Sequence, residues 1–239
     1  MTTSGTSTFT ITRDEIIDEA LIGLSVIEEG ETASAATVTK LTRTLNLLLK
    51  NLQTDGIMLW TIADITIPLV ASQTSYTVGP SGCNVTTHKP MRLVEAYIRD
   101  TSATPDIDAP LEILSKQEYL QLGSKSATGK PSSVYLDVGN TSSALYTYVT
   151  PDTTTATDYE IHIVAKRQIQ DVGTAGATFD LPVEWMLPLK WMLMAEVAVD
   201  YDKTLQDRAY YDTKAAVYKD SITSWDVEYA STYFIPESR

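Results

Sequence analysis

An α+β fold is expected: a four-helix bundle formed by N- and C-terminal helices, with an antiparallel β-rich insertion between them and an extended C-terminal tail. Two observations predict it. Residues 13–53 and 181–229 carry apolar side chains at alternating intervals of three and four, the spacing of one helix face, whereas residues 61–166 alternate at two, the spacing of a strand. The chain then divides into an N-terminal helical hairpin (1–60), a β-rich insertion (61–180), C-terminal helices completing the bundle (181–231) and a tail (232–239).

The first helix starts at Arg13, where Thr12 and Glu15 have the spacing of a capping box and acids crowd the positive end of the helix dipole. Its apolar face is Ile17, Ala20, Leu21, Leu24 and Ile27, and it is expected to end at Glu29 and Gly30. The second helix, from Ser34 to Gln53, carries Val38, Leu41, Leu45, Leu48 and Leu52 with no glycine or proline between them. Leu47 and Leu49 widen that stripe, as suits a helix with several neighbours. Ser34 caps its start and Gly56 is placed to close its end.

From Thr61 the alternation of Ile65, Ile67 and Leu69, followed by Tyr76 and Val78, reads as a hairpin. Further strands read at Leu93–Arg99, Leu111–Ile113, Val134–Val138, Leu145–Val149 and Tyr159–Lys166. One short helix, introduced by the capping box of Ser115 and Glu118 and closed by Gly123, interrupts them, and Thr153–Thr157 reads as an exposed turn. The third bundle helix opens at Leu181 and Pro182 and is apolar on nearly every side, with a kink expected at Pro188. The last carries the stripe Tyr211, Ala215, Tyr218, Ile222, Trp225 and Tyr229.

A formal charge of -13 argues against a broad basic face for nucleic acid, and the acids are spread along the chain rather than gathered in a tail. One cysteine, Cys83, excludes a disulfide framework and a cysteine-type zinc site. Residues 1–9 lack the features of a signal peptide, and the most apolar window, Trp185–Val199, is too short and too interrupted to span a bilayer.

No catalytic, cofactor or metal residues stand out. His88 and His162 lie in separate β segments without neighbouring ligands and read as ordinary sheet or surface residues. Gly79 to Gly82 is a turn rather than a phosphate loop, and Glu28, Glu29 and Glu31 read as a solvated charge cluster. Lys166 and Arg167 alone do not make a binding face. The informative residues are apolar. Tyr233, Phe234, Ile235 and Pro236 on the tail have little chain around them and either anchor a partner or fold back on the bundle. For Tyr211, Tyr218, Trp225 and Tyr229, packing within the bundle is the favoured reading and an intersubunit stripe the other.

In order along most of the chain, a set of motifs resembles the head-to-tail adaptors of tailed bacteriophages, also described as tail accessory or packaged-DNA stabilisation proteins. They are the leucine-rich helix followed by Asp55-Gly-Ile-Met-Leu-Trp60, Ile67-Pro-Leu69, Gln73-Thr-Ser-Tyr-Thr-Val-Gly79, Pro90-Met-Arg-Leu-Val-Glu-Ala-Tyr-Ile-Arg99, Ile113-Leu-Ser-Lys-Gln-Glu-Tyr119, Gly129-Lys-Pro-Ser132 and Asp180-Leu-Pro182. Each is structural punctuation; their order and spacing carry the likeness. The resemblance implies a structural subunit of the virion, assembled in the host bacterial cytoplasm and found at the head-tail junction. It implies a ring of about twelve copies docked under the portal protein, retaining packaged DNA and offering a platform for a downstream tail or nozzle protein. Double-stranded DNA would pass through the lumen without specific binding, which an acidic ring favours. The family's C-terminal extension into the portal falls by position on Tyr233 to Arg239, in a tail shorter than some relatives carry. The alternatives are another tail or tail-tip component and, more distantly, a carbohydrate-active enzyme, whose paired carboxylates and aromatic platforms the tryptophan positions do not suggest.

Overall fold

The computed structural model describes residues 5–6, 8–54, 59–173 and 175–225. They form two compact units, one of Met1–Trp60 with Ile169–Arg239 and one of Thr61–Gln168. The expected four-helix bundle with a β-rich insertion does not form: the fold is mixed α/β, with six α-helices and two sheets of four and five strands among the described residues. Two physical reasons underlie the correction. The strands bury a complete core of their own, and the last helix buries too little to serve as the fourth member of a bundle.

In the helical unit, α1 (Arg13–Gly23) carries the expected capping box: Glu15 N donates to Thr12 Oγ1 at 3.4 Å, and the Glu15 carboxylate accepts from Thr12 N at 2.8 Å. The helix ends earlier than its apolar pattern suggests. Ser25 takes a left-handed φ of 53°, and Val26 N donates to Leu21 O at 2.9 Å, which closes the helix as a Schellman motif before Ile27 is reached. Ser34 caps α2 (Ala35–Leu52), whose buried face is Leu41, Leu45, Leu49 and Leu52. Leu47, expected to widen that face, points away from it and is 66% exposed.

Residues 169–180, read from sequence as part of the insertion, belong to this unit. Ile169, Val172 and Phe179 are buried in its core, and Asn46 holds the Val172 backbone by two 2.9 Å hydrogen bonds, one to the carbonyl and one from the N–H. A short 3₁₀ turn, Val183–Trp185, precedes α5 (Met186–Val197). Pro188 sits in the first turn of α5, where its missing N–H has no partner inside the helix to lose. α5 buries Met186, Leu189, Leu193, Met194 and Val197 among α1 and α2. α6 (Leu205–Trp225) packs principally on α5, and Ala215 is its one buried residue among the described residues.

The second unit is a β-sandwich. One sheet has the order β1 (Ile62–Pro68), β9 (Tyr159–Arg167), β4 (Pro90–Asp100), β5 (Ile107–Pro110), and all its pairs are antiparallel. The other has the order β3 (Val85–Thr86), β2 (Ser75–Gly79), β8 (Ser143–Tyr148), β7 (Ser133–Val138), β6 (Glu112–Ile113), with β2/β3 and β6/β7 parallel. The expected hairpin between β1 and β2 is absent, because β1 pairs with β9 and β2 with β8. The connection instead turns a corner between sheets, pinned by the Tyr76 hydroxyl, which accepts from Val70 N at 3.0 Å and donates to Val70 O at 3.3 Å. Alternate residues of both sheets, including Ile65, Ile67, Tyr76, Val78, Ile98, Leu145, Ile161 and Ile163, fill the space between them. Two short helices flank the strands: α3 (Lys116–Gln121), with the expected Ser115 and Glu118 capping box, and α4 (Thr153–Asp158). The latter occupies the stretch read as an exposed turn; Asp152 caps it by accepting from Thr155 N at 2.7 Å.

Candidate interaction surface

α5 and α6 are joined by a tight turn in which Asp202 takes a φ of 51° and Lys203 N reaches back to Ala198 O at 3.2 Å. Thr204 then starts α6, its hydroxyl accepting from Asp207 N at 3.2 Å. So short a connection makes the two helices an antiparallel pair. One side of α5 is committed to the core of the unit, so α6 has only the opposite side to cover. It does so mainly with aromatic side chains.

Trp191 is the centre of that contact. Tyr210, Tyr211 and Tyr218 surround it at ring-centroid distances of 6.0, 6.3 and 6.0 Å, with Tyr218 nearly parallel to the indole. Lys214 lies 5.7 Å from the Tyr210 ring and 6.0 Å from that of Tyr218, a cation over two negative faces. Burial raises the Tyr211 phenol above its ordinary range, with smaller contributions from Asp207 and Tyr210. The structure therefore brings Tyr211 and Tyr218 together on Trp191 within their own unit. Trp225 stands apart, 69% exposed at the C-terminal end of α6. Tyr229, Tyr233, Phe234, Ile235 and Pro236 lie outside the described residues.

Apolar surface remains at both ends of the helix pair. At one end Leu187, Pro188, Ile222 and Trp225 line a groove of about 500 Å³. At the other, Leu48, Met192, Val199 and Leu205 line a second groove of similar volume, with Leu205 83% exposed. Arg208 borders the second groove, and its Nε is shielded from solvent without a hydrogen-bond partner. Large exposed apolar side chains rarely recur on one helix pair unless something covers them. Sequence periodicity identified the aromatic stripe but not the exposure of Leu187, because an all-apolar helix such as α5 gives no indication of which side is left over.

A polar cluster that sequence reading passed over lies on the sandwich. His162, with a side chain only 7% exposed, places Nε2 2.9 Å from Glu160 Oε1 and Nδ1 3.3 Å from Asp64 Oδ1. Tyr97 stacks on the imidazole and donates its hydroxyl to Asp64 Oδ2 at 3.1 Å. Arg99, held by two hydrogen bonds to Asp108 at 2.8 and 2.9 Å, lies 5.5 Å from the Tyr97 ring. These residues come from β1, β4, β5 and β9, so only the strand pairing brings them together. The two carboxylates meet opposite edges of the imidazole and do not converge on one point. Among the described residues no group of three or more His, Cys, Asp or Glu side chains is arranged to hold a metal ion, and no helix is long and apolar enough to cross a membrane.

Comparison of the chain with protein families and with characterised proteins finds no match.

Proposed function

We propose that this chain is a virion structural protein of a tailed bacteriophage. In this reading it forms the head-to-tail adaptor ring that docks under the portal, retains packaged DNA and offers a platform for the tail. The order of motifs along the chain suggests the family. The observation that supports it most is the pair of different apolar grooves at opposite ends of the α5–α6 pair. A ring closed by head-to-tail contacts needs two unlike, complementary patches on every copy. A net charge of -13 suits a channel through which DNA slides, since phosphates find little to hold them. Tyr233, Phe234, Ile235 and Pro236 are the proposed portal anchors, and the exposed Trp225 and Leu205 the proposed contacts between copies.

One observation favours a second reading, a different tail or tail-tip component. A tail or tail-tip component needs no four-helix bundle flanking its β-rich part, and the fold has three packed helices with α6 laid on one of them. The two readings separate on portal binding. Leu205→Asp and Trp225→Asp, each at an exposed side chain, should leave the subunit folded and weaken assembly of multiple copies on a portal. Sedimentation of chain and portal mixtures measures this, and unaltered assembly by both variants would remove these grooves from the ring contact.

A further inference from the structure

On the reading of the two grooves as unlike contacts between copies, we propose that the groove at the α5–α6 turn is a tryptophan socket, filled by the Trp225 indole of a second copy. Arg208 points to the occupant. Its Nε is shielded from solvent with no hydrogen-bond partner, and among the described residues no carboxylate pairs with the guanidinium, although Glu196 and Asp212 line the same groove. An unpaired guanidinium set among apolar side chains, here Met192, Val199 and Leu205, stacks readily on an aromatic face. An entering carboxylate would be repelled by Glu196 and Asp212. An indole is not: it meets the cation with its ring face, lays its carbons on the apolar wall and has one N–H to give to either acid.

Trp225 is the indole that fits. Of the four tryptophans, Trp185 is buried and Trp60 and Trp191 pack against the core of the helical unit, whereas Trp225 is exposed. It cannot enter the groove of its own molecule, because α6 rises about 25 Å between Arg208 and Trp225 and holds the two at opposite ends. The plug therefore comes from another copy, and each copy carries one plug and one socket, the unlike patches that a head-to-tail contact requires. Tryptophan and arginine are also the side chains that most often dominate the affinity between proteins.

Labelling with 5-fluorotryptophan gives four fluorine resonances, and Trp225→Phe identifies that of Trp225 by its loss. As the free chain is concentrated towards the millimolar range, the Trp225 resonance should shift while that of the buried Trp185 stays, reporting an intact core. Leu205→Asp should abolish the shift. Arg208→Gln should raise the concentration at its midpoint about three- to thirtyfold, and Arg208→Lys, which keeps a cation, should raise it less. Unlabelled Trp225→Ala chain, whose socket is intact, should restore the shift in labelled Leu205→Asp chain, whose plug is intact. A Trp225 resonance that never moves, or that moves equally in the Leu205→Asp and Arg208→Gln chains, would overturn the proposal, as would a mixture that restores nothing. The measurement uses the free chain, so its failure removes this contact alone and leaves docking on a portal to be decided by its own experiment.

Discussion

The imidazole of His162 lies flat on the ring of Tyr97, with 4.8 Å between centroids and 5° between planes. The contact crosses from β9 to β4, where Tyr97 and His162 are direct register partners. It joins side chains from residues far apart in sequence on the outer face of the sheet. Asp64 on β1 completes the group by accepting from the Tyr97 hydroxyl.

His162→Ala removes the stacked pair and leaves Asp64 and Glu160 without their shared partner. A loss of about 1–3 kcal/mol is expected. Tyr97→Phe keeps the ring and removes one hydrogen bond, so about 0.5–1.5 kcal/mol is expected. Urea denaturation of the full chain checks both, and two unchanged midpoints would mean the cluster contributes nothing to the sandwich.

α2 has a buried and an exposed side that differ by two residues. Leu45 is fully buried, so Leu45→Ala should cost about 2–5 kcal/mol. Leu47 is exposed, and Leu47→Ala should stay within about 0.5 kcal/mol. Thermal melts of the two variants decide the face; equal losses would place Leu47 in a contact that the subunit alone does not make.

Both capping boxes contain a titrating partner. Glu15 is held below the ordinary glutamate value of 4.5, first by the backbone N–H of Thr12 and then by its hydroxyl. The Ser115 backbone and hydroxyl act on Glu118 in the same order. A carboxyl depressed in the folded state stabilises fully above its ordinary value, and that stabilisation is lost as pH falls through the folded value. Glutamine keeps the accepting oxygen and cannot titrate. The double variant Glu15→Gln and Glu118→Gln should therefore lose less helical circular dichroism below pH 4.5 than the natural chain does. Identical acid limbs would show that other carboxylates govern acid unfolding.

Helix starts were legible because a cap is local: Thr12 with Glu15, Ser34, and Ser115 with Glu118 each complete their hydrogen bonds within three residues. The end of α1 was not, since Ser25 in a left-handed conformation ends the helix against its apolar pattern. Strand positions followed from alternation, but pairing did not. Ile65 meets Ile163, and nothing local in either strand announces so distant a partner. The polar cluster around His162 was hidden for the same reason. The fourth bundle helix failed because the tyrosine stripe of α6 encodes a packed face without stating how many helices it meets, and here it meets Trp191 on α5.

Asn46 tests where the helical unit ends. Asn46→Ala removes both hydrogen bonds to Val172 and should cost about 1–3 kcal/mol. If residues 169–180 belong with the helices, joining residues 1–60 to 169–239 by a short linker should leave a chain that still shows a cooperative helical melt, and Asn46→Ala should lower that melt too. A non-cooperative chain would mean that the two units do not fold separately.

The adaptor reading is tested most directly by the mass of the complex formed when the chain is mixed with the portal ring of the same phage. Native mass spectrometry should show many copies bound to one portal, in a single ring-like stoichiometry, and a chain ending at Trp225 should fail to form that complex. A portal that binds no copy, or binds one copy at a time without forming a defined assembly, would contradict the account.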